Sequence, residues 1–279
     1  MLIVPGSGGW DSEVDSYKNK LIPHLTAAGV TVVGMEVKNS NYCRFYDCEK
    51  CDGDQPKAPC GYERDVEAAM VSLTKNHTLI SKNAKFIIYG HSMGSKAVSN
   101  LTDYVNHSTS VVGRVLSHGG LCTGTDPECP KDATLDPNIY QSAKPTLLLT
   151  DVRDTASGRR DMAIVNYCCN TPAANVAYVE TAVGRLWDPH GGYLRDSYVT
   201  KPLADWVNCV LETPGAGASC TTKYLYPAVS NAGSIKHVVR EGNQMEGGSY
   251  LEHICTSLLN KEAYNRKTCA VPQSPCEKK

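Results

Sequence analysis

Residues 85–94 read Lys85-Phe86-Ile87-Ile88-Tyr89-Gly90-His91-Ser92-Met93-Gly94, an apolar run followed by the pattern Gly-x-Ser-x-Gly. The apolar run predicts a buried strand, and the residues after Gly94 predict a helix. A serine between such a strand and helix lies on a sharp, strained turn, where bulk at either glycine position would collide with neighbouring backbone. The stretch therefore predicts that Ser92 is a nucleophile.

Strands and helices alternate along most of the chain. Short apolar or β-branched runs predict strands at residues 2–4, 30–37, 86–89, 111–116, 146–150 and 176–183. Apolar side chains at spacings of three and four residues predict helices between these runs. Pro23 should bend the first helix, and Thr200 should cap the last one, with Pro202 in its first turn. The alternation predicts an α/β fold whose mostly parallel sheet has helices on both faces and its site beyond the carboxyl ends of the strands.

The composition changes near residue 212, beyond which Pro, Gly, Ala and Ser are frequent and four cysteines occur. We predict a catalytic domain at residues 1–212 and an extension at residues 213–279 that packs on it. Disulfides should stabilise this extension, because its core would be too thin to fold alone. Its one predicted helix spans residues 250–259. Only about thirty residues separate the strands at 111–116 and 146–150, too few for a large cap domain, so we expect an open cleft.

The nearly equal numbers of basic and acidic residues bear on which partners the protein can bind. The chain has 28 basic and 29 acidic residues, which indicates neither nucleic acid nor an anionic membrane surface as a partner. No apolar stretch is long enough to span a bilayer. We expect a monomer that acts on a small or neutral molecule.

Thirteen cysteines are too many for an ordinary cytosolic enzyme and indicate an oxidising compartment. Three Asn-x-Ser/Thr sequons, at Asn76, Asn100 and Asn106, agree with glycosylation on a secretory route. We therefore expect a secreted protein whose signal peptide was removed or not included. The odd count leaves at least one cysteine unpaired, and Cys209, within an apolar helical pattern, is the candidate for a buried free thiol.

The cysteine-rich loop contains Cys43, Cys48, Cys51 and Cys60, and the Cys-x-x-Cys spacing at 48–51 is compatible with a zinc or redox site. The many other cysteines favour disulfides over zinc. We therefore predict no metal site.

A serine nucleophile needs an imidazole to accept its proton and a carboxylate to orient that imidazole. His190 follows a late strand and precedes the last helix of the main domain, which makes it the predicted base. Asp154 is the predicted acid, with Asp151 as the alternative, because both follow the strand at 146–150. The segment His118-Gly119-Gly120 resembles an oxyanion loop, but it comes after the serine, and we interpret it as the end of a strand.

Two backbone N–H groups are predicted to stabilise the oxyanion of a tetrahedral intermediate. One belongs to Met93, directly after the nucleophile, and the other to Ser7, in the glycine-rich loop after the first strand. A phosphate cradle is the alternative interpretation of that loop, but the loop lacks the spacing of either known phosphate motif.

With these parts placed, residues 1–212 resemble the α/β-hydrolase superfamily, and most of all its cutinase-like and dienelactone-hydrolase-like esterases. The resemblance is carried by residues 4–7, by residues 90–94, and by the strand at 144–149 that leads to Arg153-Asp154-Thr155. It implies an α/β-hydrolase fold and hydrolysis of carboxylic esters without a cofactor, with polymeric esters among the expected substrates. Trp10, His91 and Trp187, which flank the catalytic loops, are the expected substrate-binding residues. The cysteine-rich loop, Cys168-Cys169 and the C-terminal extension depart from the pattern of the bacterial enzymes.

Two alternatives to an esterase remain at this stage. An acyltransferase or thioesterase would use the same Ser92, Asp154 and His190. A disulfide-rich binding protein on an inactive hydrolase scaffold would use none of them. For the hydrolase, we expect acylation of Ser92 with His190 as the general base, so that activity rises with pH as His190 loses its proton.

Overall fold

In the computed structural model of the chain, the described residues are 1–6, 9–36, 61–75, 80–118, 142–151, 176–181, 190–191, 197–225, 239–241 and 244–246. Their strands are β1 (Leu2–Val4), β2 (Val33–Gly34), β3 (Phe86–His91), β4 (Val111–Ser117), β5 (Thr146–Asp151), β6 (Val176–Thr181), β7 (Val239–Glu241) and β8 (Gln244–Glu246). Their α-helices are α1 (Gly9–Ser16), α2 (Ile22–Ala27), α3 (Gly61–Lys75), α4 (Met93–Asn100), α5 (Thr102–His107), α6 (Ser197–Glu212) and α7 (Gly217–Cys220). Short π-helical segments span Tyr17–Leu21 and Thr221–Leu225.

The strands form one sheet in the order β2-β1-β3-β4-β5-β6-β7-β8. The first six pair in parallel, and β7 and β8 are antiparallel to their neighbours. The chain moves from β1 outward to β2 and then returns to place β3 on the other side of β1. The strand order therefore reverses between β1 and β3, and their carboxyl ends open the crevice in which such sheets bind ligands.

Alternating side chains of the strands supply a core on each face of the sheet. On one face Ile87, Tyr89 and Leu147 pack with the buried residues of the π-helical segment 17–21, α2 and α6. On the other face α4 packs on β1, β3 and β4, with α3 against α4. The predicted α/β class, mostly parallel sheet and helices on both faces are confirmed. The residues in which a cap domain would be inserted, 119–141, lie outside the described part of the chain.

The first helical region shows how Pro23 acts. A proline has no N–H to donate to the residue four positions earlier, so a regular α-helix cannot pass through it unchanged. The chain instead takes a π-helical segment at Tyr17–Leu21 and starts α2 at Ile22, with Pro23 in its first turn. Gly29, at φ 81°, ends the region as predicted.

Two predicted boundaries are wrong. The strand expected at 30–37 has only two residues in the described structure, Val33–Gly34, because β2 is an edge strand that pairs with β1 alone. The last helix of the main domain begins at Ser197 rather than at Thr200, so Pro202 lies inside α6. Tertiary packing outweighs the local cost of this proline, since Trp206 and Val207 of α6 are fully buried.

The prediction that Cys209 is a free thiol is also wrong. Cys209 on α6 forms a disulfide with Cys220 at the end of α7. Both cysteines lie where α7 turns back onto α6, a proximity that helical periodicity does not reveal. Beyond this point β7 and β8 continue the sheet next to β6, so residues of the predicted extension are part of the same sheet as the main domain. The cysteine-rich loop at 43–60 and the predicted helices at 160–167 and 250–259 lie outside the described residues.

None of the described helices is both long and apolar enough to cross a membrane.

Candidate active site

Ser92 lies on the turn between β3 and α4, in the backbone conformation φ 54°, ψ −116°. Non-glycine residues rarely adopt this region, and they hold it only where the surrounding structure leaves no alternative. Gly90 is one reason, because a Cβ atom there would come 2.5 Å from the carbonyl oxygen of Gly94. Gly94 is the other, because its Cβ would overlap the carbonyl oxygens of Val4 and Pro5. The two glycines thus allow α4 to begin close against both β3 and the end of β1.

The sheet order and this strained serine turn together determine the fold type. The chain has the α/β-hydrolase fold. Its serine turn stands at the carboxyl edge of β3, next to the point where the strand order reverses. The backbone N–H of Ser92 continues the ladder of the sheet by donating to the carbonyl oxygen of Ser117 at 2.9 Å.

The start of α4 lies against the loop that follows β1. Met93 is the first residue of α4 and is buried, and the early N–H groups of a helix have no acceptors within it. Gly94 reaches the carbonyl groups of Val4 and Pro5, where the loop begins. The elements that carry the two predicted oxyanion donors are therefore adjacent. Ser7 itself lies outside the described residues, and the roles of Met93 and Ser7 stay predictions.

His190 lies beside the turn that carries Ser92. Its ring centroid is 5.0 Å from that of His91, the residue directly before Ser92. The Nε2 atom of His91 is 2.9 Å from the backbone carbonyl oxygen of His190. Because a carbonyl oxygen only accepts, this nitrogen of His91 carries the hydrogen and donates it. The structure therefore places His190, which is far away in the sequence, against His91, the residue next to Ser92. His91 is buried and lies against His190; binding of substrate by His91 stays a prediction.

A third imidazole, that of His118, completes this group, which we name the histidine cluster: His91, His118 and His190. The ring centroid of His118 lies 5.9 Å from that of His91 and 5.9 Å from that of His190. The pKa of His118 is lowered well below its ordinary value, first by burial and then by its two histidine neighbours. Among the described residues, no group of three or more histidine, cysteine or acidic side chains is placed to hold a metal ion.

The predicted acid lies outside the described residues. β5 ends at Asp151, at the same carboxyl edge that carries Ser92 and His118, and Asp154 comes three positions later in the sequence. The alternative, Asp151, is the last residue of β5 and pairs with Thr181 in the ladder between β5 and β6. The choice of Asp154 stays a prediction.

Trp10 follows the loop after β1, and its ring packs against other residues of the protein. Its ring stacks on that of Tyr17 at 5.5 Å, and it covers Gly34 so closely that a Cβ there would lie 2.6 Å from Cζ2 of the indole. Trp10 thus anchors α1 to the sheet. Its role in substrate binding stays a prediction, and Trp187 lies outside the described residues.

Comparison with known proteins was made by sequence and by structure. A thermostable esterase of known structure is 14% identical, with a TM-score of 0.45 over 69% of this chain and 50% of that one. The esterase Pf2001 of Pyrococcus furiosus is 15% identical, with a TM-score of 0.46 over 80% of this chain and 82% of that one. No protein-family model and no curated protein matches the sequence. These scores are low, so the fold assignment rests on the sheet order and the serine turn.

One residue that supports the site went unnoticed in the sequence. Arg114 stands in the middle of β4 with no solvent exposure, on the face that α4 covers. Its guanidinium donates to Thr146 Oγ1 at 3.1 Å and to the carbonyl oxygens of Val98 and Ser99 at 3.3 and 3.4 Å. A charged residue in an otherwise apolar strand was the available signal, since such a residue must find partners when it is buried. Arg114 ties the end of α4, the helix that begins directly after Ser92, to the sheet.

Proposed function

We propose that this protein is a serine hydrolase that cleaves carboxylic esters, with Ser92 as nucleophile, His190 as general base and Asp154 as the acid that orients it. One observation carries the proposal: Ser92 is held at φ 54° beside a sheet crevice, with the His190 ring against its neighbour His91. A protein has little reason to maintain a backbone conformation that costs roughly 1–3 kcal/mol unless the serine must project into a site.

The proposed reaction proceeds in two halves. His190 takes the Ser92 proton as Oγ attacks the ester carbonyl, and it then protonates the departing alcohol, which leaves an acyl-enzyme. A water molecule, deprotonated by the same imidazole, attacks the acyl group and releases the acid. The backbone N–H groups of Met93 and Ser7 are the proposed donors to the oxyanion in both halves. The imidazole thus gives its first proton to the alcohol and returns its second to Ser92 Oγ as the acid leaves, so no cofactor is required.

We propose that the protein acts outside the cell. We also propose that its substrates include bulky or polymeric esters of the kind that cutinase-like enzymes hydrolyse. The Cys209–Cys220 disulfide supports an oxidising compartment. The short connection between β4 and β5 supports an open cleft. The extracellular setting and the polymeric substrates are more specific proposals than ester hydrolysis itself, and each needs its own test.

The decisive experiment measures hydrolysis of p-nitrophenyl acetate, butyrate and a long-chain ester by protein made in an oxidising host. Ser92→Ala should lower kcat by on the order of 10⁶, because it removes the nucleophile of a group that acts as a unit. A fluorophosphonate probe should add its mass to Ser92 of the wild type alone. Release of acid from a polyester film would test the polymeric substrates.

The matched control is Ser81→Ala, which removes a hydroxyl from an exposed serine on the opposite end of the sheet. It should hydrolyse the esters like the wild type. Ester hydrolysis that persists in Ser92→Ala would contradict the proposal. Folded wild type without hydrolysis or labelling would favour an inactive scaffold.

A further inference from the structure

His118 is buried just beyond the carboxyl end of β4, and the reaction proposed above gives it no role. Its ring meets that of His190 edge to face, with centroids 5.9 Å apart and planes at 84°. His91 lies against the same His190 ring from another direction, 5.0 Å away and tilted by 40°. The partly exposed His190 ring is thus bounded by two buried rings.

The position of His118 is itself firmly held. Its backbone N–H donates to the carbonyl oxygen of Leu149 at 2.8 Å, which fastens the end of β4 to β5. Its Nδ1 atom lies 3.0 Å from Ser117 Oγ, and only 1% of the residue is exposed. Like Ser92, it has a positive φ, of 52°. The two strained residues are therefore neighbours across the β3–β4 ladder, in which His91 pairs with Ser117.

A rigid neighbour matters for a general base. The torsion that turns an imidazole about its Cβ–Cγ bond has a broad minimum, so packing has to select one orientation. Misplacing a catalytic group by about 1 Å can lower a rate by roughly 10²-fold. A fixed, uncharged ring beside His190 limits this rotation without adding a competing positive charge when His190 takes up its proton.

We propose that His118 is a positioning residue, whose buried ring, set by Ser117 and Leu149, holds the imidazole of His190 in its working orientation. The proposal rests on the proposed function, because it assigns His190 as the base. Its consequence is that kcat depends on a planar ring at position 118, whereas KM does not.

The test compares three substitutions. His118→Asn suits a positive φ and removes the ring, and His118→Leu fills the volume without a planar edge. Both should lower kcat for p-nitrophenyl butyrate about 10- to 100-fold with KM within about twofold. His118→Phe restores a ring and should recover most of kcat, even though it leaves the Ser117 hydroxyl without its partner. His107→Gln, at an exposed histidine on α5, is the control and should match the wild type; glutamine avoids the new sequon that asparagine would create there.

A double-mutant cycle separates positioning from structural support. In a His190→Ala background His118→Asn should have no further effect on the residual rate, because the residue acts through His190. An equal loss in both backgrounds, an unchanged kcat in His118→Asn and His118→Leu, or a loss in His118→Phe as large as in His118→Asn would each overturn the proposal.

A failure of the proposed function would show separately: the wild type would have no ester hydrolysis that is lost when Ser92 or His190 is replaced. In that case imidazole ¹H–¹⁵N spectra still test the positioning. His118→Asn should shift or broaden the ring signals of His190 and leave those of His24, on α2, unchanged. Unchanged His190 signals would overturn the inference.

Discussion

At the scale of single residues, the site depends on positions where only one kind of side chain is compatible with the neighbouring backbone. Gly94 is the strictest of them, because a Cβ atom there would overlap the carbonyl oxygens of Val4 and Pro5. Gly29 differs in kind: it has φ 81° but nothing within 4 Å of its Cβ position. Glycine is required at position 94 because the backbone of α4 approaches that of β1 closely, and at position 29 only because of the positive φ.

This contrast predicts different outcomes for the same substitution. Gly94→Ala should destabilise the protein by roughly 3 kcal/mol or more and lower kcat, because α4 must move away from β1. Gly29→Ala should cost only about 1–2 kcal/mol and leave kcat unchanged. Urea denaturation and ester hydrolysis measure both effects. Equal losses in the two variants would contradict the close-approach explanation.

His118 predicts a dependence of stability on pH. Its pKa in the folded protein lies well below the ordinary value of 6.5, because of burial and then of His91 and His190, the titratable groups that face it. On acidification the unfolded chain therefore binds a proton before the folded one does. The free energy of unfolding should fall as pH drops below 6.5, by up to about 1.4 kcal/mol per pH unit from this group.

Urea denaturation at several pH values between 7.5 and 5 measures that slope. His118→Asn should flatten it, because asparagine does not titrate, and His107→Gln should leave it as in the wild type. If the free energy of unfolding of His118→Asn falls as steeply with pH as that of the wild type, groups other than His118 cause the dependence.

At the scale of elements, the helix α4, which starts directly after Ser92, is held at both of its ends. Its first turn is set by the glycines at 90 and 94, and its last carbonyls are bound by Arg114 of β4. A guanidinium at this end also opposes the partial negative charge of the helix dipole. β4 thereby serves the site twice, through Arg114 near its middle and through His118 just beyond its end.

Arg114→Met should destabilise the protein by about 3 kcal/mol, because it removes hydrogen bonds from a charged donor to buried oxygens of Thr146, Val98 and Ser99. The control is Lys201→Met, whose cation pairs with Asp205 at 2.8 Å but has 64% of its side chain exposed. That substitution should cost no more than about 0.5 kcal/mol. Thermal and urea unfolding compare the two. A cost for Arg114→Met as small as that of Lys201→Met would show that the buried contacts contribute little.

At the scale of the whole molecule, residues beyond 212 belong to the fold of the residues before them. Cys220 and Leu225 are buried in the same core as Trp206, whose Nε1 donates to Thr221 Oγ1 at 3.0 Å. Gly217 packs closely on Pro145, so that α7 also touches the start of β5. The composition change near 212 therefore does not coincide with a break in the packing.

A chain ended after residue 212 should accordingly be less stable than one ended after residue 225, by roughly 5 kcal/mol. The loss combines a disulfide, a buried leucine and a buried hydrogen bond. In the full chain, Cys209→Ala with Cys220→Ala isolates the disulfide and should cost about 2–3 kcal/mol. Urea denaturation compares all of them. Equal stability of the two truncated chains would show that residues 213–225 are dispensable.

Much of the fold could be predicted from the sequence because its signals are local. The run 85–94 holds an apolar strand pattern, a serine and two glycines within ten residues, and this local pattern by itself predicts the strand, turn and helix. The buried strands β3, β4 and β5 were likewise recognised from continuous apolar runs, since strands covered on both faces need no alternation.

The remaining features depend on residues that are distant in the sequence. The short β2, Pro202 inside α6 and the Cys209–Cys220 pair are decided by what packs against them. The juxtaposition of His91, His118 and His190 arises only when parallel strands place their carboxyl ends at one edge. The sequence by itself determined the turn at Ser92 between strand and helix and the class of fold, through the glycine spacing and the hydrophobic pattern. The tertiary structure decided which side chains surround that turn, because contacts between distant segments form only when the sheet assembles.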